Sequence, residues 1–137
     1  MADTIELEVV TPERQLVKES VTEAQIPAKE GYIGVLPGHA PLLSILGSGV
    51  LTYMPQSGAR KVLAIHGGFV EVLPDHISVL ANLAERAEEI DLEKARAALK
   101  QANERLTMHD QAGAADPAVA LEESELARAR VDAAELR

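Results

Sequence analysis

Apolar and polar residues alternate most cleanly at the start of the chain. Ile5, Leu7 and Val9 fall on one side of the run Thr4 to Val10, and Thr4, Glu6 and Glu8 on the other. That period of two is the pattern of a half-buried strand. Thr11-Pro12-Glu13-Arg14 follows as a turn whose φ is pre-set by Pro12. Further strand-like runs are Thr22 to Ile26, Tyr32 to Leu36, Leu42 to Leu46, Val50 to Met54, Lys61 to His66, Phe69 to Leu73 and His76 to Ala81. Between them stand Pro-Gly, Gly-Ser-Gly, Gln-Ser-Gly, Gly-Gly and Pro-Asp, all turn-forming combinations. Many short strands at this spacing predict an antiparallel β-sandwich or flattened barrel. No helix-length run separates them, which excludes a parallel α/β sheet.

Near residue 84 the period changes. All three aromatic residues (Tyr32, Tyr53, Phe69), eight of nine glycines and six of seven prolines lie before it, while Ala, Glu, Arg and Leu dominate after it. Such a run favours helix, so the chain divides into a β-sandwich domain, 1–84, and a helical domain, 85–137. By content the fold is α+β. Asp91 is placed to cap a first helix, along which Leu92, Ala95, Leu99, Ala102 and Leu106 form one apolar seam. The pattern fails around Met108 to Ala115, where Gly113 marks the break, and Asp116-Pro117 restarts it with a cap and a proline at the first helical position. Val119, Leu126, Ala129, Ala133 and Leu136 offer a second seam, interrupted by Glu122. The short connection predicts an antiparallel two-helix hairpin. With few leucines and many alanines, that hairpin is marginal alone and is expected to dock on the sandwich or a partner, and to be able to leave it.

Composition narrows the chemistry. The chain has 137 residues, 47% hydrophobic and 26% charged, close to the globular average. No run is long and apolar enough to span a bilayer, and the acidic opening segment does not resemble a secretory signal. Without cysteine there is no disulfide, thiolate nucleophile or Cys-based zinc site. A net charge of −9 repels phosphate backbones and anionic lipid, so the partners expected are soluble proteins, not nucleic acid. His39, His66, His76 and His109 form no recognised metal spacing; only a cupin-like gathering of His39, His66 and His76 from separate strands would make a metalloenzyme. Ser44, Ser48 and Ser57 lack a nucleophile elbow, and no phosphate-binding loop or dinucleotide fingerprint occurs. Glu88/Glu89 and Glu122/Glu123 are adjacent pairs that point apart, as solvated helix faces do. The reading has no catalytic residue, no metal and no required cofactor.

One string exceeds what a structural turn requires: Glu30-Gly31-Tyr32-Ile33-Gly34-Val35-Leu36-Pro37-Gly38-His39-Ala40-Pro41-Leu42-Leu43. It resembles the signature of ATP synthase epsilon chains. Thr4 to Val10 with Thr11-Pro12-Glu13, the run His66 to Val72, and His76 to Asn82 are similar to further family segments in the same order, Asn82 standing where an acid is usual. The resemblance covers nearly the whole chain. It implies a sandwich of about ten strands with a two-helix C-terminal domain, and a non-catalytic subunit in the central stalk of a rotary ATP synthase. Such a subunit binds the gamma subunit, rests on the ring of c subunits and couples ion-driven rotation to ATP synthesis.

The same resemblance suggests which residues carry these contacts. The loop Glu30, Gly31 and Tyr32 would face the c ring, with Tyr32 where an acid often follows the glycine. The turn at His39, with Leu42 and Leu43, is the candidate gamma contact. Ile90, Asp91, Lys94 and Ala95 are similar to an ATP-binding motif of some members, but Lys94 replaces an arginine and lacks its planar fork. A regulatory ATP is therefore an open alternative, as is a free nucleotide-sensing module. The hairpin is expected to extend, to inhibit ATP hydrolysis and to meet the catalytic alpha and beta subunits through Arg128 and Arg130; removing residues 88–137 should then raise hydrolysis. Nothing like a transit peptide precedes Thr4, which points to the cytoplasmic face of a bacterial inner membrane, reached only indirectly through the complex.

Overall fold

The computed structural model describes residues 3–108 and 116–137. Seven strands precede two helices: β1 Ile5–Val10, β2 Gln15–Ala28, β3 Gly31–Val35, β4 Leu42–Ile45, β5 Ser48–Pro55, β6 Lys61–Leu73, β7 His76–Arg86, then a 3₁₀ turn Ala87–Glu89, α1 Leu92–Thr107 and α2 Pro117–Leu136. Hydrogen bonding runs β1-β7-β6-β5-β2 and closes through β1–β2, with β3 beyond β2 and β4 beside β6. The result is a flattened barrel, or sandwich, whose long strands pass from one layer into the other. Its core is lined by Ile5, Leu7, Val9, Leu51, Leu63, Ile65, Val70, Val72, Ile77 and Val79, none more than 1% exposed.

The strands are longer and fewer than the expected ten. Lys61 to His66 and Phe69 to Leu73 are one strand, β6, which runs through Gly67 and Gly68 instead of turning there. Both glycines have positive φ, +68° and +109°, open to residues without Cβ. The pair reverses side-chain parity. Val62 and Ala64 lie in a second core outside the barrel, whereas beyond the glycines Val70 and Val72 enter the first core and Phe69 points outward. Gln15 to Val21, outside the expected strands, forms the first half of β2. Both Leu16 and Val17 are buried there, which breaks the alternation that would have marked it. β7 continues to Arg86, two residues past the compositional break. All pairings are antiparallel except β1–β7, which is parallel.

Both helices begin as their sequences dictate. Asp91 Oδ1 accepts the Lys94 N–H at 3.1 Å, and Asp116 Oδ1 accepts the Ala118 N–H at 2.8 Å, with Pro117 opening α2. The helices are antiparallel: Arg96 pairs with Glu135 at 3.5 Å, Asn103 accepts from Ser124 at 2.8 Å, and Arg105 pairs with Glu123. The α1 seam is as expected, with Ala95 and Ala102 buried and Leu92, Leu99 and Leu106 half-buried. The α2 seam is not. Val119 and Leu136 are exposed, and the buried residues are Ala120, Ala127, Ala129, Val131, Ala133 and Ala134. α2 lies between α1 and the barrel, so it buries two sides. Small residues on both let the backbones approach closely. Gly113 and His109 lie outside the described residues.

Candidate interaction surfaces

α2 docks over β5 and β6. Val50, Val62 and Ala64 from the strands meet Ala129, Val131, Ala133 and Ala134, together with Ala87, Ile90 and Ala95. Polar contacts pin the seam along its length. Ser48 Oγ donates to the Glu125 carbonyl at 2.9 Å, His66 Nε2 lies 3.2 Å from Glu122, and Arg130 Nε lies 2.9 Å from Glu85. Arg130 is therefore occupied while the hairpin is docked. Arg128 is exposed, has no polar partner among the described residues, and faces a cleft of about 490 Å³ between α2 and the barrel.

The opposite wall of that cleft is the β2–β3 connection. Gly31 (φ +139°) makes the turn, and Glu30 is exposed beside it. Tyr32 is 55% exposed, yet its ring folds back across β5, where its hydroxyl accepts the Val50 N–H at 3.0 Å. Gly49 permits this: a Cβ there would lie 2.6 Å from the Tyr32 hydroxyl and 2.9 Å from Pro27 Cβ. The structure thus brings Tyr32 and Arg128, which the sequence offers as separate candidates, to one cleft.

At the second candidate turn Gly38 (φ +85°) donates to the Pro74 carbonyl at 2.8 Å, and His39 Nδ1–H donates to the Ala40 carbonyl at 2.6 Å. Leu42 and Leu43 diverge. Leu42 is half-buried against the barrel core, while Leu43 is 71% exposed. They belong to opposite faces of β4, so the three residues do not form one surface.

A different surface emerges from the register. Ile45 stands opposite Phe69, Phe69 opposite Leu80, and Leu80 opposite Val10, an unbroken row across four strands. Ile45, Phe69 and Leu80 are 51%, 55% and 54% exposed. In the next row Leu43 stands opposite Glu71. A shallow depression lined by Lys29, Glu30, Leu43, Ser44, Ile45 and Phe69 connects the patch to the β2–β3 turn. Large apolar side chains in adjacent register on a small domain mark an interface. The sequence signal was parity: Phe69 shares the outward face with Glu71, while Val70 and Val72 point in.

Of the nucleotide-motif residues, Ile90 and Ala95 are buried, Asp91 caps α1, and only the Lys94 ammonium lacks a partner among the described residues. His39 and His76 bond to Ala40 and Ser78 respectively, and His66 faces Glu122. No group of three or more His, Cys, Asp or Glu residues that could hold a metal ion occurs among the described residues. No described helix is long and apolar enough to cross a membrane.

Residues 4–87, the closed set of strands up to the first residue of the turn that follows, match the family described as ATP synthase, Delta/Epsilon chain, beta-sandwich domain. The chain belongs to that family. Within it the likeness is to epsilon chains, which are non-catalytic ATP synthase subunits. The chain is 56% identical to the epsilon chain of Solibacter usitatus (strain Ellin6076) over 98% of each chain, and 51% identical to that of Koribacter versatilis (strain Ellin345) over 77% of this chain and 74% of the relative. A chain in the cryo-EM structure of Euglena gracilis mitochondrial ATP synthase, OSCP/F1/c-ring in rotational state 1, superimposes with a TM-score of 0.76 at 28% identity, over 99% of this chain and 82% of that one.

Proposed function

We propose that this chain works in the central stalk of a rotary, ion-translocating ATP synthase, transmitting rotation of the c-subunit ring and restraining ATP hydrolysis through its helices. The observation that carries the reading is the apolar row Ile45–Phe69–Leu80, left uncovered by the chain's own hairpin. It supplies a docking face for the gamma subunit, in place of the His39 turn, and Leu43 extends it. Glu30, at the rim of the same depression, and the neighbouring Gly31 and Tyr32 face the c ring. Arg128 and Arg130 would meet the catalytic alpha and beta subunits once the hairpin leaves the barrel and Arg130 parts from Glu85. Membrane association is indirect, through the complex, at the cytoplasmic face of a bacterial inner membrane. The reading requires no cofactor.

The experiment is co-purification with gamma and the catalytic heads. Phe69→Lys with Leu80→Lys should abolish gamma binding while circular dichroism shows the barrel intact, because both side chains already face solvent. Retained binding would exclude this face. In the assembled enzyme, removing residues 88–137 should raise hydrolysis; an unchanged rate would exclude restraint by the hairpin.

A further inference from the structure

The outer face of the barrel carries one charge in the midst of its apolar side chains. On β6 the outward positions beyond the glycines are Phe69, Glu71 and Leu73, while Val70 and Val72 point into the core. Glu71 stands opposite Leu43 on β4 and opposite Ser78 on β7. Paired residues lie about 5 Å apart across a sheet, and next-but-one residues about 7 Å apart along a strand. The nearest outward neighbours of Glu71 are therefore Ser78 and three exposed apolar side chains, Leu43, Phe69 and Leu73. No hydrogen bond or ion pair engages its carboxylate among the described residues.

The other carboxylates of this face are placed differently. The row that holds Glu71 continues through Ser78 and Glu8 to Lys18. Glu8 accepts from Gln15 Nε2 at 3.0 Å, and Glu6 stands between His76 and Ser20. Both lie on the polar side of the face, away from β4. The cation of that row, Lys18, is three strands from Glu71, with Glu8 between them. A surface that covers Ile45, Phe69 and Leu80 also takes water from Glu71, one step along β6 from Phe69. An ionised carboxylate shut away from water without a counter-charge opposes association. This chain supplies no counter-charge there, so the covering surface must. A long basic side chain suits the position, since its stem can lie along Leu43, Phe69 and Leu73 while its head meets the carboxylate.

We propose that Glu71 sets the specificity of this face, and that the surface docking on it presents an arginine or lysine to the Glu71 carboxylate from within an apolar contact. The inference rests on the reading of the face as the gamma-subunit dock and adds the chemistry that gamma must bring to it.

Binding of the full chain to the gamma subunit, followed by surface plasmon resonance at several salt concentrations, tests it. Glu71→Leu removes the charge and enlarges the apolar area, so a face that works by hydrophobic contact alone would bind the variant as tightly as the native chain or more tightly. With a cation opposite, Glu71→Leu should weaken binding on the order of tenfold or more, because the partner's charge is left buried and unpaired. Glu71→Lys should weaken it further, and the salt dependence of the native association should flatten in Glu71→Leu. Circular dichroism should be native for both variants, since Glu71 faces solvent in the free chain. Equal or tighter binding by Glu71→Leu, with Phe69→Lys plus Leu80→Lys still abolishing it, would overturn this proposal and leave the gamma dock standing. Native binding by that double variant, or none by the native chain, would overturn both.

Discussion

Gly68→Ala is the most demanding test of how the barrel is built. Gly68 sits at φ +109° in the middle of β6, where β6 changes layer. A Cβ there would collide with the Leu80 carbonyl oxygen and lie 2.9 Å from both the Leu80 carbonyl carbon and Ala81 Cα, all of them backbone atoms of the paired strand β7. Backbone cannot rotate aside as a side-chain tip can, so β6 and β7 must separate or β6 must change φ. The unfavourable φ alone costs about 1–3 kcal/mol, and a comparable cost attaches to relieving the overlap. A total near 3 kcal/mol would lower the melting temperature of a barrel this size by roughly 12–24 °C. Gly34→Ala is the control, because nothing lies within 4 Å of a Cβ built there and its φ is not positive. Urea titrations followed by circular dichroism should separate the two variants clearly. Equal midpoints would show that β6 can cross between layers without a glycine at position 68, and the account of the crossing would fail.

Other outcomes follow from individual contacts. Gly49→Ala should expel the Tyr32 ring from β5, raising exchange of the Val50 amide; a native rate there would mean that the ring does not depend on the gap. The Glu89 carboxyl is held below the ordinary glutamate range by the hydrogen bonds from Arg14 and Arg86. The unfolded chain therefore takes up this proton first as pH falls. The Arg14–Glu89 pair contributes fully above about pH 4.3, the ordinary glutamate value, and its contribution is lost as pH drops below that through the lower folded value. The stability difference between the native chain and Glu89→Gln should accordingly shrink on acidification; a constant gap from pH 6 to pH 3 would contradict the assignment. Isothermal calorimetry at millimolar ATP should show no heat, since Asp91 is committed to its cap and only Lys94 is free. Measurable binding would restore a nucleotide site at this turn.

Elements governed by local chemistry were legible in the sequence. β1 showed its parity, and Asp91 and Asp116-Pro117 marked the helix starts that the structure contains. What escaped depended on distant partners. Gly67-Gly68 looks like a turn until β7 is alongside to hold it in a strand. Leu16-Val17 looks irregular until both layers are present to bury both residues. The α2 seam was sought partly among its larger side chains, whereas a helix wedged between two neighbours buries its alanines, Ala129 and Ala133 among them, and leaves Val119 and Leu136 outside. Of the surface residues, Leu43 was a candidate in the sequence, and the structure leaves it exposed. The adjoining row Ile45–Phe69–Leu80 needed the register of four strands, and the meeting of Tyr32 with Gly49 and Val50 spans a separation no local pattern encodes.

Because β6 serves the hairpin with its first half and the outside world with its second, the two surfaces are not separable modules. A chimera that imports the outer face of a relative must splice within a single strand. The crossing at Gly67–Gly68 is the one place along β6 where the donor and recipient halves point to different sides, so a junction there exchanges the outer face while leaving the helix seat native. A junction a few residues earlier would carry foreign side chains under α2, and the graft would disturb the helix seat along with the outer face.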